Sequence, residues 1–305
     1  MTQVQIRDVT LRDGLQLVGS PLPTERKVRL VRELLALGVE HVEVGSMARP
    51  DLVPTLADTL DVVAALDEHE RERAWVWVAT PRHVERAAAA GVRRFQYCLS
   101  ASDAHNRANV GRDAEASVAA FPDALAAAQA VGGTVQLCIA TAFTCPFDGE
   151  VPLERVLSIV ADPRTDGAVD VVIADTLGQA HPGEVRRRIA EAARLRPDLG
   201  VVFHGHDTWG LGVANALAAV EGGATVVDGA LGGLGGCPFA PGASGNTATE
   251  DLVFGLRPPW ASTTTFAELV RLGEEVTRTL AEPDRARSQA GARSGASAFE
   301  WVVDA

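Results

Sequence analysis

One repeated unit restricts this chain more than any other feature: a short run of β-branched and apolar residues followed by an amphipathic stretch of helical period. The runs fall at Val4–Val9, His41–Val44, Trp75–Ala79, Arg94–Leu99, Val135–Ala140, Val169–Ala174, Val201–His204 and Val226–Asp228. Between them apolar residues recur three and four apart. Examples are Val28, Val31, Leu34 and Leu35 after Thr24, read as an N-cap, and Leu52, Leu56, Leu60 and Val63. A glycine precedes most runs (Gly38, Gly91, Gly133, Gly167, Gly200, Gly223), where a helix end needs a left-handed residue before the chain turns into a strand. Eight strands alternating with helices, without a linker-like break, predict an α/β fold, a (β/α)8 barrel of the TIM type. An open doubly wound sheet competes with it. That sheet usually carries a glycine-rich phosphate loop after its first strand, and here the place holds Leu11-Arg12-Asp13-Gly14. The barrel is assigned to residues 1–260. Residues 261–305 are read as a C-terminal helical extension, with a helix at Thr265–Leu280 and a mobile tail packing on or near the barrel.

Composition removes several classes of function. The chain has 305 residues, 47% of them apolar, enough for a full core. A formal charge of −12 argues against nucleic acid and anionic membranes as partners, and the scattered aromatics form no stacking stripe. Of 28 basic residues only Lys27 is lysine, and it lies between Arg26 and Val28, so no P-loop exists. A Schiff base would need that one amine, which reads as part of a surface helix; aldolase-like chemistry here should therefore use a metal. The start of the chain has no secretory pattern. Residues 124–147 lack charge but are broken by Gly132, Gly133 and Pro146, and read as a helix followed by a strand. Four cysteines without regular close spacing read as reduced thiols of a cytoplasmic protein.

In a barrel the residues just after the strands share one face. Those positions hold Arg12 and Asp13, Glu43, Ser100 and Ser102, Asp175, His204 and His206, and a glycine-rich loop reaching Asn246. His204 and His206 alternate along a strand end, and the pair either meets one ion or is two satisfied structural histidines. With Asp13 and Asn246 they make a mixed nitrogen and oxygen shell suited to Mg²⁺ or Mn²⁺, with Zn²⁺ or Co²⁺ as alternatives. The stretch 232–246 contains six glycines and one thiol, Cys237, and reads either as a turn-rich loop or as a flap over the site. Arg12 is either one half of a surface ion pair or a fixed cation for a developing oxyanion. Glu43 is either its structural partner or a catalytic group. Asp103, His105, Asn106, Arg107 and Asn109 read as a polar loop that caps the site or is solvated. Cys98 and Cys138 read as packing residues, Cys145 stays open, and His41, His69, His83 and His181 read as surface or structural.

Five segments carry a family resemblance. They are Thr-Leu-Arg-Asp-Gly-Leu-Gln (10–16), Leu-Ser-Ala-Ser-Asp-Ala-His-Asn (99–106), Ala-Asp-Thr-Leu-Gly (174–178), His-Gly-His-Asp-Thr (204–208) and Gly-Leu-Gly-Gly-Cys-Pro-Phe (233–239). Over roughly residues 4–281 the chain resembles the hydroxymethylglutaryl-CoA lyase family. The last segment, continued by residues 243–251, separates the lyases from the sister isopropylmalate and homocitrate synthases, whose equivalent loop carries Glu-Arg. The resemblance implies a divalent-metal-dependent lyase that performs a retro-Claisen cleavage of a 3-hydroxy-3-substituted glutaryl-CoA. Asp13, His204, His206 and Asn246 would bind the ion, and Arg12, Glu43, Asp175 and Cys237 would be catalytic. Arg12 would hold the enolate oxygen, Cys237 would protonate its carbon, and Asp13, His204 or a water would take the hydroxyl proton. The implied partner is a small acyl-CoA or hydroxy-acid substrate, and family barrels often form homodimers. The chain departs from the family at Leu17, Val18 and Gly19, where Asn-Glu and often Lys are usual. It departs again at Ala48-Arg49-Pro50-Asp51, at Trp209 and at Cys138, where the family often has Tyr. These changes point to an altered substrate wall. An aldolase or condensing enzyme acting on another keto acid or thioester is therefore the alternative, and a metal-binding pseudoenzyme is a third reading.

Overall fold

Alternation along each strand decides the architecture. In the first strand Ile6 joins the large apolar core while its neighbour Arg7 joins a buried polar network, so the sheet presents two different faces. The computed structural model describes residues 4–236, 239, 244–294 and 301. Eight strands, β1 (Gln5–Asp8), β2 (His41–Ser46), β3 (Ala74–Val78), β4 (Arg94–Ser100), β5 (Thr134–Ala140), β6 (Asp170–Asp175), β7 (Gly200–Gly205) and β8 (Val226–Gly229), pair in parallel and in chain order. The barrel closes between β1 and β8, where Arg7 lies opposite Asp228. Ile6, Val42, Val76, Phe95, Val135, Val171, Val201 and Val227 belong to the main apolar core, which the surrounding helices complete. A second, small cluster holds Trp77, Cys98, Cys138, Val172, Val202 and Val226.

Several local expectations change. The first helix is Thr24–Leu37 with Pro23 as its N-cap, and the Thr24 hydroxyl donates instead to Asp58. Lys27 is not at the surface: it is 2% exposed, and its ammonium donates to Thr55 O and Asp58. Leu52 is 69% exposed, because the second helical segment begins later, with a 3₁₀ turn at Pro54–Leu56 and a helix at Thr59–Ala65. Left-handed backbone occurs at Gly38, Gly91, Gly167 and Gly223, but Gly132 takes it in place of Gly133, and Gly200 opens β7 instead. Asp103–Val110 is a helix rather than a loop, capped by the Ser102 hydroxyl. The uncharged stretch becomes a helix at Phe121–Gln129 and strand β5. Among the described residues no helix is long and apolar enough to cross a membrane.

After β8 come the helices Thr249–Leu256, Thr263–Leu280 and Ser288–Ala292. The described residues of the segment read as mobile make definite contacts. The Arg285 amide donates to Gly232 O (2.9 Å), and the Arg287 and Ser288 amides donate to the Asp251 carboxylate. Trp301 rests on Phe254 and Phe266. Buried Glu250 accepts the Gly232 amide on both oxygens, so the helix Thr249–Leu256 holds the base of the glycine-rich loop together with Arg285 of the extension.

Candidate metal centre and active site

The run Thr10–Gly14 leaves β1 as a single π-helical turn, a wide turn that recurs at functional sites. Side chains hold it in place. Asp8 accepts the Thr10 amide and the Thr249 hydroxyl, and the Thr10 hydroxyl accepts the Leu231 amide. Asp8 is fully buried, and burial pushes its carboxyl up to about 6 against these hydrogen bonds. The turn presents Arg12 and Asp13, which are ion-paired to each other.

Asp13, His204 and His206 each offer one ligand atom, all within 4.8 Å of one another. The far nitrogens of both imidazoles are engaged. His204 Nδ1 lies 3.0 Å from Asp228 Oδ2, and His206 Nδ1 lies 3.2 Å from Ser244 O. Metal-binding histidines usually have such outer partners, which leave Nε2 for the ion. Asn246 donates from Nδ2 to Asp13 Oδ1 (3.0 Å) and Leu234 O (2.9 Å), while its Oδ1 is buried without a hydrogen-bond partner. Two imidazole nitrogens, a carboxylate and an orphaned amide oxygen fit a divalent cation well. The glycine-rich loop approaches this group closely. A Cβ at Gly235 would lie 2.5 Å from Asn246 Nδ2 and 3.0 Å from Asp13 Oδ1, so a side chain there would displace the donor set.

Charge makes the cluster coherent. Burial would raise the Asp13 carboxyl, but Arg12 and the two histidines outweigh it and hold Asp13 well below the usual carboxylate range. Burial would lower His204, but Asp228 and Asp13 raise it above its ordinary value. Arg12 stacks over Trp77 with its guanidinium carbon 5.4 Å from the ring centroid. Its Nε lies 3.6 Å from Glu43 Oε2, so the structure pairs Arg12 with Glu43 as well as with Asp13. Asp175 is buried and accepts the Gln179 and Ala180 amides on its two oxygens (3.1 and 3.0 Å), while the His206 amide donates to its carbonyl. Cys237 lies outside the described residues.

Other expected groups make contacts of their own. His105 and Asn106 are buried, with the Asn106 amide bridging Ser100, Arg112 and Ser117. Cys145 is buried beside the Ser102 hydroxyl and accepts the Phe147 and Asp148 amides, a loop-holding role. His181 caps the helix Pro182–Leu195. Of the altered mouth residues, Val18 joins the apolar core, Leu17 is half exposed, and a Cβ at Gly19 would meet nothing within 4 Å.

The sequence reading missed the layer beneath the site. Arg7 makes two hydrogen bonds to Asp228 (2.9 and 2.7 Å), one to Gln136 Oε1 (2.6 Å) and one to Gln96 Oε1 (3.2 Å). Gln96 Nε2 in turn donates to Glu43. Barrel interiors are commonly filled by branched apolar residues. The legible signal was a charge next to an apolar residue within a strand, Arg7 after Ile6 and Asp228 after Val227.

Residues 3–276 match the HMGL-like family. The chain is 40% identical over 263 residues to the (R)-citramalyl-CoA lyase of Chloroflexus aurantiacus, covering 83% of each. It is 34% identical over 252 residues to the hydroxymethylglutaryl-CoA lyase YngG of Bacillus subtilis, covering 83% of this chain and 84% of the relative. A solved HMG-CoA lyase from Acenitobacter baumannii, in complex with coenzyme A and 3-methylmalate, superposes with a TM-score of 0.86 at 32% identity, covering 97% of this chain and 96% of that one.

Proposed function

The chain belongs to the HMGL-like family of metal-dependent barrel lyases, and from that premise we propose that it cleaves the carbon–carbon bond of a 3-hydroxy-3-substituted acyl-CoA. The observation that carries the reading is the set Asp13, His204 and His206 beside the orphaned Asn246 oxygen, with Arg12 next to it. Asp13, His204, His206 and Asn246 would hold a divalent ion, and two imidazole nitrogens with two oxygens suit Mg²⁺ or Mn²⁺, with Zn²⁺ or Co²⁺ as alternatives. Such an ion supplies Lewis acidity that makes a tertiary hydroxyl easier to deprotonate.

The chain's own groups perform the rest. Asp13, His204 or a water between them takes the hydroxyl proton. The C–C electrons pass to the thioester as an enolate while the carbinol becomes a ketone. Arg12, fixed by Glu43 and Trp77, holds the enolate oxygen, and the Cys237 thiol gives its proton to the enolate carbon. Asp175 keeps His206 in place through the turn at residues 175–180.

The 40% identity with a citramalyl-CoA lyase favours a second reading of the substrate, a hydroxy acid other than hydroxymethylglutaryl-CoA. We assign catalysis to residues 1–260 and support of the loop base to 261–305. The cytoplasm is our proposed compartment, supported by the free thiols of Cys98, Cys138 and Cys145. The test is Mg²⁺- or Mn²⁺-loaded protein incubated with 3-hydroxyacyl-CoA thioesters. Release of acetyl-CoA and a ketone is expected, and no cleavage across the panel would overturn the reading.

A further inference from the structure

Beneath the proposed metal centre a single cation touches both halves of the site. Arg7 is 1% exposed and lies on β1, three residues before the turn Thr10–Gly14 that presents Arg12 and Asp13. Toward one side its fork grips Asp228 through Nε and Nη2, and the same Asp228 Oδ2 holds His204 Nδ1 at 3.0 Å. Toward the other side its Nη2 lies 3.2 Å from Gln96 Oε1. That contact leaves the amide nitrogen of Gln96 facing Glu43, which in turn stands 3.6 Å from Arg12 Nε. Gln136 takes a further Nη1 bond at 2.6 Å, and its own amide nitrogen donates to Asp170. The guanidinium also lies over the Trp75 ring, 5.8 Å from guanidinium carbon to centroid.

We propose that Arg7 is a positioning residue that ties the metal-ligand histidine His204, through Asp228, to the substrate-facing Arg12, through Gln96 and Glu43. The proposal rests on the metal-site reading above. Three physical points support it. A planar fork can hold a carboxylate in one orientation, which a lysine ammonium cannot. A carboxylate behind a ligating histidine sets the ring's orientation, and losing such an outer partner typically costs about 10–100-fold in metal affinity or activity. The direction in which Gln96 presents its amide decides whether Glu43 meets a donor or an acceptor, and the Arg7 donor selects the first. A residue needed only to fill the barrel would not require four directed hydrogen bonds to reach both sides.

The test uses the full chain with Arg7→Lys, which keeps the charge and loses the fork, and Arg188→Met as a control. Arg188 is equally buried but bonds Glu184 and the Ala142 carbonyl, away from the site. Three quantities are read on folded protein: Mn²⁺ affinity by electron paramagnetic resonance titration, the visible spectrum of Co²⁺-loaded protein, and kcat with KM. For Arg7→Lys we expect Mn²⁺ affinity to fall about 10–100-fold, the Co²⁺ bands to shift, and kcat to fall more than KM rises. The control should lose thermal stability and keep both metal readouts. Wild-type affinity and spectrum in Arg7→Lys would overturn the proposal while leaving the metal centre standing. Wild-type protein that binds neither ion would instead remove the metal-site reading, and the proposal with it. Should Arg7→Lys not fold, Gln96→Leu leaves the Arg7–Asp228 pair intact and cuts only the arm to Glu43 and Arg12: kcat lowered about 10-fold with wild-type Mn²⁺ affinity upholds the coupling, and unchanged kcat overturns it.

Discussion

Asn246 turns its amide nitrogen to Asp13, 3.0 Å from Oδ1, and leaves the oxygen of the same amide buried and unbonded. The Leu234 carbonyl takes a second bond from that nitrogen, so the amide is held at both donors and its oxygen end is fixed by default. A buried acceptor without a partner costs about 1–3 kcal/mol, and a cation shared with Asp13 would offset that cost.

Metal binding should therefore depend steeply on this set. His206→Ala is expected to lose most of the bound divalent ion, and Asn246→Ala to weaken binding by about tenfold or more. Metal content after gel filtration measures both. Chelation should stop turnover and Mg²⁺ or Mn²⁺ should restore it; full turnover in a metal-free preparation would sink the idea.

The pH dependence follows from His204, raised above its ordinary value in the metal-free protein by Asp228 and Asp13 against burial. A raised histidine contributes stability that is complete below its unfolded value, near pH 6.5, and is lost as pH rises through the folded value. A metal must displace the same proton, so affinity should fall as pH drops through that window. Calorimetric Mn²⁺ titrations from pH 8 to pH 6, beside thermal melts of the metal-free protein, should move in opposite directions. Affinity that is flat with pH would show that His204 does not ligate.

Period and strand-end position made the barrel and its catalytic face legible, because both depend only on local alternation. Arg12, Asp13, His204, His206 and Asn246 were therefore readable from sequence and do converge. Burial was not readable. Lys27 and Val18 look like surface and mouth residues, yet the fold places one against Asp58 and the other in the core. The Arg7–Asp228 pair joins residues 221 apart, a contact that exists only once the barrel closes. The helix at Asp103–Val110 was hidden because two of its polar residues, His105 and Asn106, turn inward to bond Ser100 and Ser117 rather than out to water.

Cys237 is expected to act after bond cleavage, as the acid that quenches the enolate. Cys237→Ala should lower kcat by about 10²–10⁴-fold with metal content unchanged, the range for loss of a positioned proton donor. Single-turnover kinetics and metal analysis on one preparation separate the two effects. Wild-type turnover in the variant would make the thiol a bystander.

Arg12 is expected to act on the transition state rather than on binding alone. Arg12→Lys retains a charge but loses the planar contact with Trp77 and the reach to Glu43. A kcat reduced about 10²–10³-fold with a modest change in KM is expected for loss of an oxyanion donor. A rise confined to KM would place Arg12 in ground-state binding instead.

Substrate choice is the last question, and the wall beside Arg12 supplies the argument. Trp77, Cys98 and Cys138 form one small cluster on neighbouring strands, with Arg12 stacked on the tryptophan. Cys138 stands where related lyases often carry a tyrosine, so a hydroxyl donor is missing from this wall. At the mouth, Leu17 is exposed and Gly19 open, leaving no polar side chain at either position. One lost polar partner costs about 1–3 kcal/mol, which is roughly 10–100-fold in kcat/KM. Hydroxymethylglutaryl-CoA, whose free carboxylate stands one carbon away from the hydroxylated centre, should therefore be a poor substrate. Citramalyl-CoA, with its carboxylate directly on that centre, needs less from this wall and should be cleaved at least about tenfold more efficiently. Steady-state kinetics on the two thioesters decides between them. A kcat/KM of about 10⁴ M⁻¹s⁻¹ or more on hydroxymethylglutaryl-CoA, ordinary for an enzyme on its own substrate, would show that the altered wall does not select against it.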